Sequence, residues 1–166
     1  MILIILSMLM IAAYTIALLI KDKCIPYSIS ATYYTLEHRF WFGLTMIGTA
    51  LLLMPAILDR SSDTTAFMAF LACAGIIMVG VAPNFKEDTE GRIHEVGAVM
   101  CLSFSQLWVG FTNAWMLLPW IAYIIYTTIY MICKWDGLFA SSFIRTRPMF
   151  WLEIYALLTT YLTLLL

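Results

Sequence analysis

Charged residues are scarce in this chain and are almost absent from six long apolar runs. Hydrophobic residues make up 63% of the 166 positions and charged residues 11%, whereas an ordinary soluble domain carries about 25% charged residues. A water-soluble fold could not bury six such runs, so that class is excluded. The formal net charge of −1 also gives no electrostatic basis for a nucleic-acid partner.

Paired cysteines and metal-binding motifs are missing as well. The four cysteines, Cys24, Cys73, Cys101 and Cys133, show no CxxC spacing, which argues against a disulfide framework and favours free or buried thiols. The two histidines form no HxxxH or HExxH motif. A divalent metal held by histidine and carboxylate therefore remains an open but weak alternative, and the sequence identifies no cofactor.

The apolar runs predict an all-α, polytopic membrane bundle that forms one domain over residues 1–166. A helix needs about 20 apolar residues to cross the hydrocarbon layer, and continuous runs exclude the alternating segments of a membrane β-barrel. The six predicted spans are Ile2–Ile20, Phe40–Leu58, Ala66–Ala82, Val96–Trp115, Met116–Cys133 and Met149–Leu166.

The basic residues are sorted between alternate connections, which predicts an orientation. Eight of the nine fall in the first, third and fifth connections, and only Arg60 lies on the other side. The positive-inside rule then puts both termini outside the inner membrane and the odd connections in the cytoplasm. The first run has no basic residues before it, so we expect a retained helix and not a cleaved signal peptide. One long helix over Val96–Cys133 is the alternative. It would place the last basic connection outside, against the positive-inside rule, so two helices are preferred.

The first connection contains a further helical pattern. Its apolar residues recur at spacings of four, four, three and four, at Ile25, Ile29, Tyr33, Leu36 and Phe40. This periodicity predicts a short amphipathic helix lying in the cytoplasmic interface of the membrane.

The fourth predicted span carries two faces suited to contact with other helices. Gly97, Ala98, Cys101 and Ser105 form a small-residue face, and Ser103, Gln106, Gly110 and Asn113 lie roughly opposite. Small faces allow close helix approach in lipid, and polar side chains bond between helices. We therefore expect this helix to be central.

Polar residues gather in three groups at the predicted cytoplasmic side, where they suggest a binding or active site. Ionisable groups near a span are costly and are commonly functional. The groups contain Glu37, His38 and Arg39; Lys86 to Glu95, including Arg92 and His94; and Asp136, Arg145, Arg147 and Glu153.

Each candidate in these groups has a functional and a structural interpretation. His94 with His38 and carboxylates could act as acid and base, or His94 could hydrogen-bond a neighbouring loop. Glu153 could contact a headgroup, or pair with Arg147, Arg92 or Arg39. Ser28 and Ser30 could supply a nucleophile, or could simply be solvated.

Two stretches resemble a family of uncharacterised bacterial multi-span membrane proteins. PYSISATYY (residues 26–34) followed by RFWFG is similar to its PSISAxYY…FVG opening, and Pro83–Asn84 with IHEVGA (residues 93–98) is similar to its loop and IHxxxA helix start. The resemblance implies a shared site formed by Ser28, Ser30, Tyr33, Tyr34, His94 and Glu153. It implies no reaction, and the segment KEDTEGR (residues 86–92) departs from the family pattern.

The leading functional hypothesis is a membrane protein that binds, and could modify, a lipid-like amphipathic molecule in a pocket facing the cytoplasm. The predicted catalytic residues are His94, Ser28 and Glu153, and the predicted binding residues are His38, Arg39, Tyr34, Glu95 and Arg147. Membrane lipids are the expected partners. Two alternatives are a non-enzymatic subunit or homo-oligomer with a membrane-protein partner, and a small transporter or channel.

Overall fold

The computed structural model describes residues 1–135 and 137–166, which form helices joined by short connections. The all-α prediction is confirmed for these residues, and Asp136 lies outside them. Seven α-helices are described, together with 3₁₀ helices at Ser30–Tyr34 and Ala114–Leu117. The α-helices are α1 (Ile2–Asp22), α2 (Phe40–Asp59), α3 (Ala66–Val81), α4 (Asp88–Asn113), α5 (Pro119–Cys133), α6 (Phe139–Arg145) and α7 (Pro148–Leu165).

Three helices, α1, α2 and α7, are long and apolar enough to cross a membrane. A fourth candidate is the pair formed by α4 with its 3₁₀ extension and α5, which are bent by 77° at their junction. The predicted break between two helices is therefore present. Helix α3 has 16 residues, or about 24 Å at 1.5 Å per residue, and is shorter than a typical span. These helices indicate a membrane protein.

Small residues bring α3 and α4 into backbone contact, as the small face of α4 predicted. A Cβ added to Gly75 would lie 2.5 Å from the carbonyl oxygen of Gly97 and 2.6 Å from the backbone nitrogen of Cys101. Such contacts require glycine, because no side chain fits between the two helices. Helix α4 is thereby fixed against α3 on one side, and it packs against α7 on another.

Gln106 joins α4 to α5 and α7 inside the bundle. Its amide nitrogen donates to the Ala156 carbonyl at 3.2 Å. Its amide oxygen accepts from the Trp120 indole at 2.8 Å and from the Thr159 hydroxyl at 2.9 Å. In an apolar interior such bonds satisfy polar groups that would otherwise be costly to bury. The polar face predicted on α4 is therefore used for packing within the chain.

The two chain ends meet at one end of the bundle. The Arg60 guanidinium donates to the Leu164 carbonyl at 2.6 Å and lies 3.3 Å from the Met1 sulfur. We call this the Arg60 end. The opposite end carries the connections 23–39 and 82–87 and the start of α7, where the Phe150 N–H donates to the Tyr27 carbonyl. We call it the loop end.

The first connection differs from the predicted interfacial helix. Only Ser30–Tyr34 is helical, as a single 3₁₀ segment, and Ile29, Tyr33 and Leu36 pack inward against the bundle core. The Thr32 hydroxyl is 2.7 Å from the Tyr14 hydroxyl of α1. Serine and threonine side chains here bond to nearby backbone groups, which favours turns over a regular helix. Three of the five residues in the apolar pattern therefore contact protein, where we expected lipid, and the other two, Ile25 and Phe40, are exposed.

Candidate ligand-binding cleft

A cleft of about 520 Å³ opens at the loop end. Its walls come from three parts of the chain: the connection before the 3₁₀ segment, the loop and first turns of α4, and the start of α7. The lining residues are Tyr27, Ser28, Ser30, Phe85, Lys86, Glu87, Asp88, Gly91, Arg92, His94, Glu95, Ala98, Met149 and Glu153. The predicted site residues Ser28, His94, Glu95 and Glu153 are therefore brought together in one place.

Glu153 lies in the second turn of α7, at the bottom of this cleft. Its carboxylate accepts hydrogen bonds from the backbone N–H groups of Ile29 and Ser30. These groups begin the 3₁₀ segment, where N–H groups have no partner within the helix and attract acceptors. We expected an arginine partner, but in the part of the chain that the structure describes the carboxylate is held by backbone donors alone.

His94 is fixed to the end of α3. Its Nδ1 lies 2.9 Å from the Ala82 carbonyl oxygen, with the Val79 carbonyl also close, and its ring is 5.2 Å from that of Phe85. Because a carbonyl only accepts, Nδ1 carries the hydrogen. The last carbonyls of a helix lack intrahelical partners, so His94 caps α3 and is only 6% exposed. This is the structural role left open by the sequence; the catalytic role remains a prediction.

Ser28 lies two residues before the 3₁₀ segment and is 5% exposed. Its hydroxyl oxygen accepts a hydrogen bond from the Ala31 N–H at 2.9 Å, a local bond from side chain to backbone that is typical of serine in turns. Among the described contacts none joins Ser28 to His94, so no nucleophile and base pair is formed in this arrangement.

Tyr34 supports the cleft wall from behind. Its hydroxyl donates to the Asn84 side-chain oxygen at 3.1 Å and accepts the Lys86 N–H at 3.0 Å. The Phe85 ring packs edge-on at 4.9 Å, and the Lys86 ammonium lies 4.3 Å above the Tyr34 ring. Tyr34 therefore holds the 84–86 loop in place, and it is a neighbour of the cleft instead of part of its lining.

Three further predicted binding residues, besides Tyr34, lie outside the cleft lining. His38, Arg39 and Arg147 are exposed, and the Arg39 guanidinium lies 5.2 Å from the Tyr33 ring centre. Arg147 precedes α7 in a left-handed conformation, with a φ of 55°. Conversely, Tyr27 and Phe85 line the cleft but were not among the predicted site residues. Aromatic residues near a membrane surface are typical of an interfacial belt, so their presence in the sequence did not indicate a site.

A second, apolar cavity of about 90 Å³ lies inside the bundle next to the cleft. Helices α1, α2, α3, α4 and α7 surround it, and Ser30, Ala98 and Glu153 line both spaces. We call it the chamber. Alanines at positions 72, 98 and 156 leave the space open. No sequence signal revealed it, because a void depends on how the helices meet.

One polar atom of the chamber wall has no partner. The Thr49 side-chain oxygen is buried without a hydrogen bond, as is Trp151 Nε1, which lies outside the chamber lining. Among residues 1–135 and 137–166, no three His, Cys, Asp or Glu side chains are close enough together to hold a metal ion. Comparisons with protein-family models, curated proteins and solved structures found no match for this chain.

Proposed function

We propose that this chain is an integral protein of the inner membrane that binds an amphipathic, lipid-like molecule at the loop end. In this proposal six helices cross the bilayer, both termini are outside, and the cleft opens to the cytoplasm. The sorting of eight basic residues into alternate connections supports the orientation. The meeting of both termini with Arg60 supports an even number of crossings.

The observation that carries the binding proposal is the position of Glu153 at the junction of two unlike spaces. On one side lies the polar cleft with Lys86, Arg92 and Glu95, and on the other the apolar chamber. A molecule with a polar head and an apolar chain would place each part in a matching environment. The exposed His38, Arg39 and Arg147 would meet lipid headgroups around the entrance.

Selection of the ligand must depend mainly on its polar part. Lipid tails are as apolar as the chamber wall, so transfer of a chain from bilayer to chamber yields little net free energy. Hydrogen bonds and charges in the cleft would therefore decide which amphiphile is retained. Binding requires no modification of the ligand, and the backbone-bonded Ser28 and His94 favour a binding role over a catalytic one.

The competing partner-subunit hypothesis loses its main support. The small face around Gly97, which could have received another protein, is occupied by α3. The transporter hypothesis required an accessible Gln106 face, but Gln106 is bonded to α5 and α7.

The test is to purify the full chain in nanodiscs made from host lipids and to identify retained molecules by mass spectrometry. We expect one amphiphile class to be enriched over the bulk lipid, and Glu153→Gln to reduce that enrichment. Glu37→Gln is the matched control, since Glu37 is an exposed carboxylate at the loop end and is absent from the cleft lining.

A second pair of variants tests the chamber. Ala98→Leu narrows the space between cleft and chamber, whereas Ala17→Leu adds the same three carbons at an exposed position of α1. Loss of enrichment with the first and retention with the second is expected. A wild-type protein that carries only bulk lipid, unchanged by Glu153→Gln, would contradict the proposal.

A further inference from the structure

The side chain of Thr49 is an exception among the buried threonines of the helices. The hydroxyls of Thr45 and Thr15 donate to the carbonyl four residues earlier, each at 2.8 Å. Thr49, which is 1% exposed, makes no such bond and has no other partner for its hydroxyl. A buried hydroxyl without a partner is costly, and a persistent one suggests a missing polar atom.

Thr49 lies in the chamber wall, near the middle of α2. Its carbonyl accepts a hydrogen bond from the Ser7 hydroxyl at 2.9 Å, and that hydroxyl is 2.6 Å from the Tyr161 hydroxyl. Tyr161 follows Glu153 by eight residues on α7, a helical rise of roughly 12 Å, and because its side chain leans toward the helix N-terminus the two levels are separated by less than this. The wall between the two levels is lined by apolar side chains, among them Met46 and Leu157.

The side chains around Glu153 favour a ligand headgroup that donates hydrogen bonds. A carboxylate offers acceptors only, with about four lone-pair sites, and Ile29 and Ser30 use two of those on Glu153. Around it the cleft lining holds Glu87, Asp88 and Glu95 against Lys86 and Arg92. This excess of acceptors suits an ammonium group better than a phosphate or carboxylate.

We propose that the ligand is a chain amphiphile with an ammonium group at Glu153 and a second hydrogen-bonding atom, a hydroxyl or carbonyl, at Thr49. This inference rests on the proposed binding function and specifies its ligand class. An extended chain covers about 1.2 Å per bond, and each polar atom lies about 2.9 Å from its protein partner, so a chain of about five bonds or more between the two polar atoms can reach both positions. A chain with a polar atom at only one end would leave Thr49 unpaired.

The test measures binding of four probes to the full chain in nanodiscs: 10-aminodecan-1-ol, decylamine, 6-aminohexan-1-ol and decanoate. The variants are Thr49→Val, which keeps the shape and removes the hydroxyl, and Thr49→Ser, which keeps a hydroxyl. We expect Thr49→Val to weaken 10-aminodecan-1-ol about ten-fold, the effect of one lost hydrogen bond in a buried site. Decylamine, which cannot bond to Thr49, should change roughly two-fold or less.

The other arms separate the possible failures. Thr49→Ser should restore most of the loss, and Thr49→Val should also weaken 6-aminohexan-1-ol, because its nitrogen and oxygen are seven bonds apart and can reach both positions. Equal effects of Thr49→Val on 10-aminodecan-1-ol and decylamine would overturn the inference, as would preferential binding of decanoate; in both cases amphiphile binding itself would stand. If no probe binds the wild-type protein, the proposed function and this inference fail together.

Discussion

Replacement of Gly75 by alanine should be among the most destabilising small changes in this chain. The new Cβ would lie 2.5 Å from the Gly97 carbonyl oxygen and 2.6 Å from the Cys101 nitrogen, both of which are backbone atoms. Ordinary contact begins at about 3.4 Å, so α3 and α4 must separate by roughly 1 Å. Overpacking of this kind costs about 1–3 kcal/mol, more than the roughly 1 kcal/mol that alanine contributes through helix propensity.

The assay is unfolding of the purified protein by SDS in mixed micelles, followed by circular dichroism. Two matched glycines provide controls. In Gly48→Ala the Cβ would meet only the flexible end of Met10, at 2.6 Å from Cε, and in Gly110→Ala the nearest atom is 3.5 Å away. Both should be neutral or slightly stabilising. Equal stability of Gly75→Ala and Gly110→Ala would refute the close contact of α3 with α4.

Three further predictions concern the cleft wall, the bundle interior and the orientation. Tyr34→Phe removes the hydroxyl that bonds to the 84–86 loop, so hydrogen exchange there should increase while the unfolding midpoint changes little; unchanged exchange would contradict the role of Tyr34. Gln106→Leu leaves the Trp120 N–H without its acceptor and should cost about 1–3 kcal/mol in the same unfolding assay, whereas a neutral effect would show that α5 is held otherwise. Cys24, an exposed thiol at the loop end, should react with an impermeant maleimide only after cells are opened, and labelling of intact cells would reverse the orientation.

Hydropathy located the apolar helices well and missed their polar turns. The second helix was predicted over Phe40–Leu58 and is found over Phe40–Asp59. The fourth was expected to begin at Val96 and begins at Asp88, because its first two turns are polar. Acidic residues there are favourable near a helix N-terminus, but they do not register in an apolar pattern. In the first connection an apolar pattern was assigned to lipid contact, but three of its five residues pack against protein.

The sequence predicted part of the cleft lining and none of its hydrogen-bond partners. Of the eight predicted site residues, four do not line the cleft and four do, among them Ser28, His94 and Glu153. Their partners are backbone groups, however, and backbone partners leave no trace in a sequence. Arg147 was one of the arginines considered as a partner for Glu153. It adopts a left-handed backbone conformation, which the residue types in the sequence do not predict.

The backbone partners of Glu153 have a consequence for what the site can bind. An arginine would have supplied a full positive charge and a rigid fork that fills the carboxylate's acceptor sites. The N–H groups of Ile29 and Ser30 supply only dipoles, and they leave acceptor capacity directed at the cleft and chamber. Among the residues that the structure describes, no cation of the chain pairs with this carboxylate, and the two N–H groups hold it in place. A cationic ligand group at this position would form an ion pair with Glu153. An anionic headgroup would be repelled by the carboxylate unless the hydrogen bonds from Ile29 and Ser30 to Glu153 were broken and the side chain moved away.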